Sequence, residues 1–128
     1  MTRIYPVRLV GLTLVLREFA EGDIASVFEH ASDPEVTCYL EWDPHESIEV
    51  TEKVVMTWIQ NALTSFRYSY ELAIEKDGDF VGTARLTIDE GQPHKADIGY
   101  VVRRDRWGEG IATEVVLMLL DFGFEQLG

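Results

Sequence analysis

Ile98-Gly-Tyr-Val-Val-Arg103-Arg104-Asp-Arg106-Trp107-Gly108-Glu-Gly110-Ile-Ala112-Thr113, running on into Glu114-Val-Val-Leu-Met-Leu-Leu120, is the stretch on which the reading of this chain turns. Ala96 to Arg103 is β-branched and aromatic, a strand pattern. Three arginines and a Gly-x-Gly follow, and a long apolar helix pattern begins at once. A strand that turns through glycines into a helix start aims several unpaired N–H groups at one point, with the positive end of the helix dipole behind them. That geometry holds a phosphate or pyrophosphate. The glycines matter because a Cβ would keep the anion from the amides.

Three devices share this geometry, and their details separate them. A nucleoside-triphosphatase loop needs Gly-Lys-Ser/Thr at the helix start, but Gly110 is followed by Ile111 and Ala112. A dinucleotide fingerprint needs a third glycine where Thr113 stands, and an acidic residue about 20 positions on, near the end of this chain. The string resembles instead the acetyl-CoA loop of the Gcn5-related N-acetyltransferase (GNAT) superfamily, Arg/Gln-x-x-Gly-x-Gly/Ala. Gly110 and Ala112 fill its last two places, and Trp107 stands at the Arg/Gln position. Ile-Gly-Tyr … Trp-Gly-Glu-Gly-Ile-Ala-Thr-Glu looks like the branch that includes the ribosomal-protein N-acetyltransferases. A plain glycine turn before a buried helix is the simpler alternative.

Composition agrees with one soluble domain over residues 1–128: 46% hydrophobic and 27% charged, with no apolar run near the ~20 residues of a membrane span. Met1-Thr-Arg-Ile-Tyr-Pro has no apolar signal core, and Cys38 is alone, so a cytoplasmic protein without an internal disulfide is expected. A net charge of −12 argues against a nucleic-acid surface. Within that acidic chain, Arg103, Arg104 and Arg106 are three of eleven basic residues, beside the glycine turn, and attraction of an anionic ligand is the expected use. His30, His45 and His94 lack ligand spacing with each other or with Cys38, so no metal is expected.

In chain order, Leu9 to Arg17 reads as a first strand, and Asp23 as the cap of a short helix from Ile24 to Ala31. Glu35 to Glu46 is irregular and carries Tyr39, Leu40, Trp42 and His45, aromatics that either wall a cleft or cover the core. Ser47 then caps a helix over Ile48 to Thr64, with Val55, Trp58/Ile59, Ala62 and Phe66 on one buried stripe. Tyr68 to Glu75 alternates as a half-buried strand, and Lys76-Asp77-Gly78-Asp79 is a hairpin turn. Phe80 to Ile88 returns, with Gly82 marking a bulge or a close approach. Asp89 to Lys95 turns into the Ala96–Arg103 strand, completing a three-stranded antiparallel meander. A helix from Gly108 to Leu127 is apolar except for a stripe of Glu114, Asp121 and Glu125.

The order β-α-α-β-β-β-α matches the first two-thirds of the GNAT fold, so the resemblance implies an α/β (α+β) domain. It has a mixed, mainly antiparallel sheet with helices on both faces. Members of the family continue with further strands, which are lacking here; a shortened chain, or a homo-oligomer covering the exposed apolar helix, is therefore expected.

The resemblance also implies acetyl-CoA as cosubstrate and an amine acceptor, on a protein N-terminus or a small molecule, acetylated by direct attack. Tyr100, Val101 and Val102 would bind pantetheine as an added strand, with the amide around Tyr100 polarising the thioester. The pyrophosphate would sit on Gly108, Glu109, Gly110, Ile111, Ala112 and Thr113, with Trp107 beside it and Arg103, Arg104 or Arg106 supplying charge. Asp97 is the leading general base; Glu41, Asp43 and His45 are weaker candidates. The alternative is a module that binds acyl-CoA or a protein partner without turnover.

Overall fold

The computed structural model describes residues 6–31, 47–63, 67, 69–89 and 92–125. The segment expected as one first strand is two: β1 (Arg8–Val10) and β2 (Leu14–Glu18) form a hairpin, closed by a hydrogen bond from the Gly11 amide to the Leu14 carbonyl at 2.8 Å. Leu12, at the tip, is 98% exposed. An apolar residue at a turn looks the same in sequence as one inside a strand, and this hid the break.

After β2 the chain turns through a short 3-10 segment, Glu21–Asp23, into α1 (Ile24–Ala31). Asp23 does not act only as a simple cap. Its carboxylate accepts the Ala20 amide at 2.8 Å and a two-pronged pair from Arg17 at 2.7 and 2.8 Å. Arg17 Nε also reaches Glu75 at 2.8 Å. Burial works against the Asp23 charge, but the bonds from Arg17 and Ala20 outweigh it and hold the carboxyl below its ordinary range. α2 (Ile48–Ala62) follows Ser47, whose backbone is extended and whose side chain makes no capping bond. Phe66 and Tyr68, placed by periodicity on the helix stripe and the next strand, lie outside the described residues, as does the aromatic segment with Tyr39, Leu40, Glu41, Trp42, Asp43 and His45.

β3 (Ser69–Lys76), β4 (Asp79–Asp89) and β5 (Gln92–Val102) complete a five-stranded sheet in the order β1-β2-β3-β4-β5, every neighbour antiparallel. The meander is thus longer than its expected three strands. Asp77 and Gly78 both take positive φ, 53° and 79°, as a two-residue hairpin turn requires. β5 starts at Gln92, inside the expected turn, because Asp89 already pairs with Gln92. Gly82 sits at the register shift between β3 and β4, and a Cβ there would meet the Val101 carbonyl oxygen at 2.2 Å. Both expectations for that glycine are met.

α3 (Ile111–Glu125) starts later than Gly108, because Gly108 and Gly110 are left-handed at φ 87° and 78°. It buries Ile111, Val115, Leu119 and Phe122 on one face of the sheet, against Leu14, Leu16, Leu72, Ile74 and Leu86. On the other face Val27 of α1 and Val55 of α2 pack with Phe19, Ala73 and Phe80, with Trp58 alongside. The Phe19 and Trp58 ring centroids are 4.7 Å apart. Arg67 is buried: it grips Glu18 with both terminal guanidinium nitrogens and lies over the Tyr70 ring at 4.2 Å. Such a pair is costly to leave half-made.

Candidate active site

β5 is the last strand of the sheet, so one of its edges faces no described strand. The Arg103 amide donates to the Val81 carbonyl at 2.7 Å. Pairing alternates along an antiparallel ladder. In this register Val101 and Gly99 therefore direct their backbone groups at β4, while Tyr100 and Val102 direct theirs off the free edge. The Trp107 indole confirms the alternation by donating to the outward Val102 carbonyl at 2.9 Å. Of the three residues expected to offer backbone groups to a pantetheine arm, two point outward and Val101 points in.

Side chains alternate as well. Ile98, Tyr100 and Val102 lie on the α3 face, and Asp97, Gly99 and Val101 on the α1–α2 face. The two candidate catalytic residues, Asp97 and Tyr100, thus project from opposite faces of one strand. Asp97 is exposed, opposite Thr87.

Beyond Val102 the chain makes a 3-10 turn, Arg104–Arg106, and Trp107 folds back to hold it against the strand. Gly108 and Gly110 then set the left-handed steps that a Cβ would strain. A Cβ at either would meet nothing within 4 Å, so the space in front of them is open. Ile111, buried in the core, pins the helix start, while Ala112 is half-buried and Thr113 exposed. The Glu114 amide is the first to bond back, to the Gly110 carbonyl at 3.3 Å. The amides of Ile111, Ala112 and Thr113 precede it and belong to the turn that no helical carbonyl can serve.

Two of the three arginines expected at a phosphate, Arg103 and Arg106, are engaged with carboxylates; the side chain of Arg104 lies outside the described residues. Arg103 holds Asp105 at 2.5 Å, Asp79 at 3.4 Å and the Phe80 carbonyl at 2.8 Å. Arg106 holds Asp79 at 2.9 Å and Glu109 at 3.2 Å, and Lys76 also reaches Glu109 at 3.1 Å. Asp105 is lowered mainly by its bond from Arg103, and Glu109 mainly by its bond from Lys76. This surface network ties the β3–β4 turn to the glycine loop. The sequence gives no sign of it, since Lys76 and Asp79 read there only as hairpin residues. Among the described residues no group of three His, Cys, Asp or Glu side chains could hold a metal ion, and no helix is long and apolar enough to cross a membrane.

Residues 13–128 match the family model of the acetyltransferase (GNAT) domain. A curated relative, the uncharacterized N-acetyltransferase p20 of Bacillus licheniformis, is 28% identical over 116 residues, which cover 91% of this chain and 64% of the relative. This chain therefore spans less than two thirds of that relative's length. A GNAT-family acetyltransferase of Bacillus anthracis superposes with a TM-score of 0.79 at 22% identity, covering 94% of this chain and 68% of that one. Mycobacterium smegmatis RimJ, solved in complex with CoA-disulfide, superposes with a TM-score of 0.77 at 24% identity, covering 98% of this chain and 65% of that one. Both share the fold. With the family model matched from residue 13 to residue 128, the chain belongs to the GNAT acetyltransferase family.

Proposed function

We propose that this chain is a cytoplasmic, acetyl-CoA-dependent N-acetyltransferase that acts on a primary amine, of a protein N-terminus or a small molecule, by direct attack. The observation that carries this reading is the passage from β5 into α3. There, left-handed Gly108 and Gly110 leave open space before the first-turn amides of a helix. A diphosphate suits such a cradle, since it takes several N–H donors at once and gains from the helix dipole. Bound acetyl-CoA supplies the thioester from which the acetyl group passes to the amine.

The chain's own residues would bind and orient. The amides from Gly108 to Thr113, with the side chain of Glu109 turned away toward Lys76 and Arg106, receive the diphosphate. Arg103, Arg104 and Arg106 contribute positive charge, and Trp107 keeps the loop folded on β5. Outward backbone groups of Tyr100 and Val102 suit an extended pantetheine arm, with the Tyr100 amide placed to donate to a carbonyl oxygen at the edge. Val101 supports that edge from its ladder with Thr83. Asp97, exposed on the same strand, serves as acceptor for the ammonium proton, directly or through water. A homo-oligomer is the reading for the exposed face of α3, where Leu117 and Leu120 are 58% and 39% exposed. Native mass spectrometry decides that point.

Calorimetric titration with acetyl-CoA and desulfo-CoA tests the assignment. A Kd on the order of micromolar is expected. It should be lost in Gly110→Val, whose side chain fills the cradle. A folded chain that binds neither ligand sinks the assignment. Binding without thiol release across a panel of amines turns the reading to an acyl-CoA-binding module.

A further inference from the structure

The α1–α2 face of the sheet carries two polar rungs next to each other. Ser69, Thr87 and Asp97 are cross-strand neighbours on β3, β4 and β5, and Glu71, Arg85 and Gly99 form the next rung. The rung beyond, Ala73, Thr83 and Val101, begins the apolar packing under the helices, with Ala73 in the core. The helices therefore seal one end of this face and leave charged groups at the other.

Within the two rungs, the Ser69 hydroxyl lies 3.4 Å from that of Thr87 and 3.3 Å from the Glu71 carboxylate. Glu71 is half-buried, whereas Arg85 is exposed. Directly opposite residues on paired strands are near enough for an Arg–Glu fork to close. It does not close: among the described residues Arg85 has no ion pair or hydrogen bond. Its Nη2 lies instead 3.3 Å from where a Cβ on Gly99 would stand. A guanidinium thus lies across the bare backbone of Gly99, one residue from the outward amide of Tyr100, with a carboxylate held apart from it on the same rung.

A ligand with a single positive charge would gain from Glu71 and Asp97 but be repelled by Arg85. A ligand with both charges satisfies all three groups. We propose that these rungs recognise an amine that also carries a carboxylate, an amino acid, with Glu71 and Asp97 receiving the ammonium and Arg85 the carboxylate. The assignment of this ligand as acceptor rests on the acetyltransferase reading above; the binding site itself does not. Burial raises the Glu71 carboxyl, against the charges of Arg85 and Arg67 and the bond from Ser69, so its ionised form is underserved in the free protein and gains from an added cation.

The test is titration of the chain with the common L-amino acids and, in parallel, with their amides. The readouts are the amide signal of Gly99 and the Nε–H signal of Arg85. At least one amino acid should bind about tenfold more tightly than its amide. Arg85→Gln should bring the pair within about twofold, and Glu71→Gln should weaken both. Gly99→Ala, whose Cβ would press on the guanidinium and shift it by a few tenths of an ångström, should reduce the same preference and serves as a second probe should Arg85→Gln misfold. The proposal is overturned if no amino acid shifts these signals, or if the preference survives in a folded Arg85 or Gly99 variant. Desulfo-CoA titrated into the same sample judges the acetyltransferase reading separately. Its binding without amino-acid discrimination leaves that reading standing, and the converse leaves only the site.

Discussion

Glu114 closes on Thr13 across a hundred residues of chain: one carboxylate oxygen takes the Thr13 hydroxyl at 2.6 Å, and the other takes the amides of Thr13 and Leu14 at 2.9 Å. The first turn of α3, which presents the glycine loop, is thereby fastened to the β1–β2 hairpin. Burial opposes the charge on Glu114, but the Thr13 hydroxyl and the two amides outweigh it, and its carboxyl lies below the ordinary 4.5.

Replacing Glu114 by Gln should therefore cost about 1–2 kcal/mol, toward the lower end because solvent screens the site. The sign with pH follows from the lowered value. The clamp acts in full above the unfolded value and is lost as pH falls through the folded one. Melting curves of both proteins should converge on acidification. A gap in Tm that persists unchanged to about pH 3 would falsify the ionic origin of the clamp.

Asp79 holds two arginines, Arg103 and Arg106, for which a bound phosphate would compete. Asp79→Asn should tighten desulfo-CoA binding by about threefold or more at low salt, with the gain fading as salt screens the charges. Thermal stability should barely move, since exposed pairs contribute little. If binding weakens instead, the network supports the loop rather than competing with its ligand.

Gly123 lies inside α3, and a Cβ there would meet nothing within 4 Å. No close approach requires the glycine, so Gly123→Ala should stabilise by up to about 1 kcal/mol. Differential scanning calorimetry should show Tm higher by about 4 °C. A fall in Tm would mean that another surface packs against this part of the helix.

Glu71 carries the opposite sign from Glu114. Burial, only partly offset by the charges of Arg85 and Arg67 and the bond from Ser69, raises its carboxyl above the ordinary 4.5. The ionised group is penalised in the folded state at pH values above that raised value, and the penalty disappears below about 4.5. Glu71→Gln should thus raise Tm at neutral pH while impairing amino-acid binding, and the gain in Tm should vanish in acid. Destabilisation at neutral pH would mean that the Ser69 bond and the charges of Arg85 and Arg67 outweigh the cost of burial.

The strand, the glycine loop and the helix were legible because their signals are local. β-Branched residues ending at Arg103, glycines at 108 and 110, and an apolar run after them each act over a few positions. The same holds for the Asp77-Gly78 turn, whose positive φ pair a chemist can read from two letters. Local signals failed where one pattern serves two structures. Leu9 to Arg17 keeps its apolar character through a turn, and Asp89 to Lys95 looks like a loop although Asp89 pairs with Gln92 and β5 already starts there.

By itself the sequence determined the strand–loop–helix unit, the turns that demand glycine, and the apolar faces, because backbone sterics and hydrophobic period are properties of neighbouring residues. Only the tertiary structure decided what those elements bring together. It tied Arg103 and Arg106 to Asp79, locked Arg67 onto Glu18, clasped Thr13 with Glu114 and laid Arg85 over Gly99. Each of these depends on strand register, and a shift of one residue would turn every side chain to the opposite face. Register is set by the packing of the whole sheet, so no short stretch of the chain contains it.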